Sequence, residues 1–185
     1  MDRESLRARP IAAAAAERDL AGKRRDKKRD DAAAPAKPRQ QFAALPYREE
    51  PTLQVMLVSS RETRRWVLPK GWPMKGKKPH LVAAQEALEE AGLLGKIAKE
   101  PIGSYHYLKR MANGAAIACE VGVFPFRVGK QRKNWPERDQ RTTGWFDIAD
   151  AAHLVDEPEL RDLILRFARP EEDGEAEVTL ESVNR

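Results

Sequence analysis

Apolar and polar positions along this chain follow two periods, and the change from one to the other maps its elements. FAALPY at 42–47 and LQVMLVSS at 53–60 are apolar runs of strand length, and RRWVLP at 64–69 follows after a turn at 61–63. From Pro79 the period lengthens. Leu81, Ala84, Leu88 and Ala91 recur at helical spacing and predict a helix over 79–91, docking by that face. Pro79 suits the first turn of this helix, and Gly92 suits the left-handed position just past its end. Strands are expected over 97–108 and 115–128, joined by the hairpin signal Asn113-Gly114. The basic loop GKQRKNWPERDQ, the short strand TTGWF and a closing helix in EPELRDLILRFA complete the pattern. Leu160, Leu163, Ile164 and Phe167 share one side of that last helix. Strands, a helix, more strands and a last helix make an α+β domain over 41–169 rather than a strict βαβ alternation.

The predicted helix 79–91 carries Glu86, Glu89 and Glu90 at i, i+3 and i+4, which places three carboxylates on one face. Like charges at that spacing repel, so the arrangement costs stability unless a cation sits among them. Hard divalent ions such as Mg²⁺ favour carboxylate oxygens and keep several waters. The preceding loop, rich in glycine and lysine, offers ammonium groups and a helix N-terminus to phosphate. A metal, phosphates and an activated water describe phosphoanhydride hydrolysis. A solvated acidic helix face is the plain alternative.

GWPMKGKKPHLVAAQEALEEAGL at 71–93 resembles the Nudix box, Gly-x5-Glu-x7-Arg-Glu-hydrophobic-x-Glu-Glu-x-Gly-hydrophobic. Gly71, Glu86, Ala87, Glu89, Glu90, Gly92 and Leu93 match; Lys77 stands where the family has Glu, and Gln85 where it has Arg. The resemblance implies the Nudix fold, a mixed β-sheet sandwiched between α-helices. It also implies Mg²⁺ or Mn²⁺ held by the Gly71 carbonyl, Glu86 and Glu90. Glu89 would be the proton acceptor, a role that other members of the family give to the residue matching Glu86. Glu120 and Glu137 are candidates for an additional outer carboxylate, with Glu137 preferred for its place in a loop.

Val58-Ser59-Ser60-Arg61, Trp66-Val67-Leu68-Pro69, NWPE at 134–137 and RTTGWF at 141–146 are similar to the diphosphoinositol polyphosphate and diadenosine polyphosphate phosphohydrolase branch. That likeness implies phosphate contacts at Ser59, Ser60, Arg61 and Arg141. A lysine of the branch falls on Glu157 here, with the opposite charge. Lys70, Lys75, Lys77 and Lys78 around the box, with Lys109 and Arg110 at a hairpin end, add cations suited to a chain of phosphates or a heavily phosphorylated ring. Trp72 and Trp135 are candidate base clamps, with packing as the alternative. Trp66 and Trp145 fit strands.

Composition narrows the setting. The chain has 185 residues, a net charge of +5 and one cysteine. A lone cysteine excludes an internal disulfide and fits a reducing cytoplasm, and Cys119 reads as a core residue. No apolar run approaches the roughly 20 residues that span a bilayer. Ile11 to Ala16 is too short for a signal peptide, and the acidic residues that follow disfavour a mitochondrial presequence. Residues 1–40 hold 12 Lys/Arg against 7 Asp/Glu and read as a disordered basic arm; residues 170–185 read as an acidic, disordered tail. Three functions are carried forward. The first is a metal-dependent hydrolase of a polyphosphorylated small molecule, a dinucleoside or diphosphoinositol polyphosphate. The second acts on the 5′-triphosphate end of RNA, bound through the arm. The third is a polyphosphate-binding module without catalysis. Oligomeric state is not fixed by the sequence.

Overall fold

The computed structural model describes residues 37–111 and 114–169. All but the last four residues of the expected basic arm, the whole acidic tail, and Asn113 of the hairpin signal lie outside the described residues. The strands are β1 (Arg39–Arg48), β2 (Gln54–Ser59), β3 (Trp66–Val67), β4 (Lys70–Gly71), β5 (Leu93–Ile97), β6 (Gly103–Arg110), β7 (Ala116–Gln131) and β8 (Thr143–Asp147). The helices are α1 (Pro79–Ala91), α2 (Ile148–Leu154) and α3 (Pro158–Phe167). No helix among them is long and apolar enough to cross a membrane.

All eight strands belong to one sheet with the path β3-β2-β1-β7-β5, to which β4 adds on β1, β6 on β7 and β8 on β2. β1 and β7 run parallel from Arg39↔Cys119 to Tyr47↔Arg127, while the other pairings are antiparallel, so the sheet is mixed. The central strands are apolar almost without interruption because both of their faces are covered. Ala43, Leu45, Val55, Leu57, Val121 and Val123 face Ala151, Leu160, Leu163 and Ile164 of α2 and α3. Their neighbours of opposite parity, Ala44, Met56, Val58, Phe124 and Phe126, face Ala83, Ala87 and Ala91 of α1. This is the α+β sandwich that the box implies.

The docking face of α1 differs from the one expected. Val82, Ala83, Ala87 and Ala91 are buried, whereas Leu81 is 46% exposed. Three alanines one turn apart let the helix lie close to the sheet. Glu86 and Glu90 then flank the contact on one side, and Glu89 lies further round. Three elements were not expected: β4 is a two-residue strand, Lys70–Gly71, paired on β1. β5 begins directly after α1, and α2 fills the step between β8 and α3. The hairpin joins β6 to β7 as anticipated, closing at Arg110↔Ala116.

Gly92 ends α1 with φ 69° and donates its N–H to Leu88 O at 3.0 Å. A Cβ on Gly92 would meet the Trp135 ring at 2.6 Å. Trp135 is therefore a packing wedge under the helix end, not a base clamp. Gly92→Ala combines left-handed strain with overpacking and is expected to cost about 2–3 kcal/mol, read as a lower urea midpoint.

Candidate active site

The site forms where the end of β1, the short β4, the turn after β2, the tip of β6 and the loop before β8 meet α1. β4 pairs with β1 at Ala43 and Phe42, which fixes Lys70 and Gly71 beside the N-terminal half of β1. A Cβ on Gly71 would run into the carboxylate of Glu86, so only glycine lets that carboxylate lie against the strand. The turn after β2 closes through Ser60 N–H to Arg65 O at 2.8 Å and sends Arg61 outward. The late loop is pinned to α1 by Glu137 N–H donating to Glu89 O at 3.0 Å.

These segments enclose a cleft of about 590 Å³. Gly71, Glu86, Glu90 and Glu137 line its acidic part, and Ser60, Arg61, Lys70, Lys109 and Arg110 line it with donors and cations. Burial raises the pKa of Glu86, and the charges of Glu89 and Glu137 push it the same way. Burial carries Glu90 up to about 7 against the pull of Lys70 and Arg141, with Glu86 and Glu137 pushing it further up. Burial likewise brings the Lys70 ammonium down to about 8, although Glu90 opposes the change. Two carboxylates in this state lack positive charge.

Arg141 supplies part of it. The residue is 7% exposed; Nη2 donates to Glu90 Oε1 at 2.5 Å, Nε to Glu137 Oε2 at 2.6 Å and Nη1 to Ser59 O at 3.0 Å. Glu90 Oε2 is buried and has no hydrogen-bond partner among the described residues. That orphaned acceptor, the glycine cradle of Glu86 and an all-oxygen donor set suit a hard divalent cation. Among the described residues no three His, Cys, Asp or Glu side chains are gathered into a metal cage. Mg²⁺ does not need one, since it is held by one or two carboxylates together with waters and substrate oxygens.

Several expected placements are corrected. Glu89 does not line the cleft. Its Oε1 accepts from Gln85 Nε2 at 2.6 Å, and Gln85 Oε1 accepts from Lys77, so the two departures from the box contact each other and hold Glu89 on the outer side of α1. Glu89 instead borders a shallow groove with Ala84, Leu88 and Leu94. Lys75, Lys77 and Lys78 are exposed and stand outside the cleft, because the loop carrying them turns away at Gly76 before α1 begins. Ser59 is buried, and its Oγ accepts from Thr142 N–H at 2.9 Å. Arg141 is a strut between carboxylates rather than an open phosphate ligand. Ser60, Arg61, Lys70 and Arg110 do line the cleft, as does Glu137, while Glu120 pairs with Gln40 and Ser104 outside it. Glu157 accepts from Arg65 Nη1 at 2.5 Å. Gln41, Arg65, Tyr107 and Asp156 also line the cleft and were missed. Only the polar Gln41 in front of an apolar strand was a signal.

The shifted Glu90 makes stability depend on pH. Its folded pKa of about 7 lies above the ordinary 4.5. The stability contributed by the neutral carboxyl is therefore present at acid pH and lost as pH climbs through 7. A bound cation offsets the loss. Mg²⁺ is expected to raise the melting temperature clearly at pH 8 and little at pH 5, which calorimetry can check.

No family model matches the chain. Nudix hydrolase 13, mitochondrial, of Arabidopsis thaliana is 30% identical over 110 residues, covering 57% of this chain and 54% of that protein. Nudix hydrolase 12, mitochondrial, of the same plant is 27% identical over 124 residues, covering 65% and 61%. The chain thus spans less than two thirds of the length of these relatives. In fold it is similar to the crystal structure of the C. elegans Ap4A hydrolase, with TM-score 0.52 and 17% identity over 71% of this chain and 96% of that one. With the box residues on α1 and β4, and the mixed sheet between helices, the chain is similar to Nudix hydrolases in sequence and to the Ap4A hydrolase in fold.

Proposed function

We propose that this protein is a divalent-metal-dependent pyrophosphohydrolase that cleaves a phosphoanhydride bond in a polyphosphorylated small molecule. Dinucleoside polyphosphates and diphosphoinositol polyphosphates are the candidate substrate classes. One observation carries this reading: Glu86, cradled at Gly71, and Glu90 share a single cleft with Arg61, Lys70, Lys109 and Arg110. The relatives and structural neighbours named as hydrolases support it.

Glu90, Glu86 and the Gly71 carbonyl would hold Mg²⁺ or Mn²⁺, with Glu137 as an outer carboxylate. When bound, the ion supplies a Lewis acid and makes its water more acidic. Arg61 and Arg110 grip phosphate oxygens, and Lys70 and Lys109 add point charges that offset charge developing on the phosphates. Glu86 takes the proton of the attacking water in this proposal, because it faces the cleft beside the metal site while Glu89 is turned to Gln85. Cytoplasm is the compartment proposed, on the single buried cysteine.

The test is a substrate panel with Mg²⁺: diadenosine penta- and hexaphosphate, diphosphoinositol phosphates, nucleoside triphosphates, and capped or triphosphorylated RNA. Release of phosphate or nucleotide product that stops on chelation is expected for at least one small molecule. Turnover confined to RNA would replace the substrate class, and no metal-stimulated release from any member would refute the reading.

A further inference from the structure

The cleft has a second end that phosphate does not explain. Gln41 is 1% exposed yet lines the cleft from β1. Its Oε1 accepts from the Tyr107 hydroxyl at 2.6 Å, which fixes the orientation of the carboxamide. Its Nε2 has no hydrogen-bond partner among the described residues, so two N–H donors are held without a protein acceptor. A neutral amide is a weaker phosphate ligand than the cations of this cleft, and its N–H groups open into the cleft. The groups around it are aromatic, and Arg65 and Lys70 lie 5.6 and 5.4 Å from the centre of the Tyr107 ring. By the register of β4 on β1, Trp72 follows Gly71 into the position opposite Gln41. Trp72 and Tyr107 line the cleft with Gln41, and Leu108, the next residue of β6, is 68% exposed. Arg39 at 4.3 Å and Lys109 at 5.4 Å from the Trp72 ring centre hold that ring in place.

We propose that Gln41 is a specificity-determining residue that reads a nucleobase: its free amide donates to an acceptor on the edge of the base, while Trp72 and Tyr107 flank the ring. The inference rests on the hydrolase reading above and narrows its substrate to the nucleotide class. A polyhydroxylated phosphate ring presents no flat apolar face to Trp72 and Tyr107 and no ring acceptor to the amide. A nucleobase presents both, and carboxamides pair well with such edges.

The test compares wild type, Gln41→Leu and Tyr107→Phe on diadenosine pentaphosphate, a diphosphoinositol pentakisphosphate and inorganic tripolyphosphate, with Mg²⁺. An unmade hydrogen bond to a buried group predicts that Gln41→Leu lowers kcat/KM for diadenosine pentaphosphate by about 10–100-fold, mostly through KM, and leaves tripolyphosphate within about twofold. Tyr107→Phe frees the carboxamide to rotate and is expected to lower the same value by about 3–10-fold. Calorimetric binding of adenosine 5′-monophosphate without metal should weaken in parallel, and melting curves check the fold. An equal loss on all three substrates, or no loss on the dinucleotide, overturns the proposal for Gln41. Wild-type protein that hydrolyses none of the three, yet binds the monophosphate in a Gln41-dependent way, defeats the hydrolase reading and keeps the base subsite.

Discussion

Glu90→Gln and Glu86→Gln are each expected to lower kcat about 10³-fold, while Glu89→Gln stays within about tenfold of wild type. Glu90 and Glu86 line the cleft, whereas Glu89 is turned to Gln85 and does not. Glutamine keeps the size of each side chain and removes the charge a cation needs. Circular dichroism should show an intact fold in all three variants. The steady-state rates of the three variants, measured side by side, decide the assignment. Glu89→Gln as the worst of the three would return the proton acceptor to the outer face and remove the role given to Glu86.

Arg141→Met is expected to cost about 3–5 kcal/mol of stability in metal-free protein at pH 8, because it leaves buried carboxylates without their partner. Arg141 and Glu90 are each 7% exposed, and the same guanidinium reaches Glu137 and the Ser59 carbonyl. The loss should shrink at pH 5, where Glu90 is protonated, and Mg²⁺ should restore part of it at pH 8. Urea unfolding at the two pH values, with and without Mg²⁺, separates these contributions. A loss under about 1 kcal/mol at pH 8 would make Arg141 a surface residue in energetic terms and would undo the strut.

Helix 79–91 was legible because its signals are local: Pro79 at the start, Gly92 at the end and a clean helical period between them. The carboxylates on it were legible for the same reason. Their grouping was not, because which of Glu86, Glu89 and Glu90 faces the cleft depends on the helix's rotation on the sheet. The alanines set that rotation, and Leu81 and Leu88 gave a misleading stripe. α2 was hidden by its length, since Ile148–Leu154 is barely two turns. The lysines at 75, 77 and 78 share a sequence neighbourhood with the site but not a direction, because a loop's path is not encoded in spacing. Arg61 and Arg110 come from distant elements; Arg61 was found through the likeness of its Ser-Ser-Arg motif to the phosphohydrolase branch, and Arg110 through the hairpin signal. Gln41 needed the pairing of β1 with β4, a contact that no local pattern announces.

The most direct measurement is anomalous diffraction from a crystal soaked in Mn²⁺ with a non-hydrolysable polyphosphate. A peak bounded by Glu86, Glu90 and the Gly71 carbonyl, with phosphate oxygens reaching Arg61 or Arg110, is the expected result. A manganese peak elsewhere on the protein, with Glu90 still closed on Arg141 and its second oxygen still alone, would contradict it.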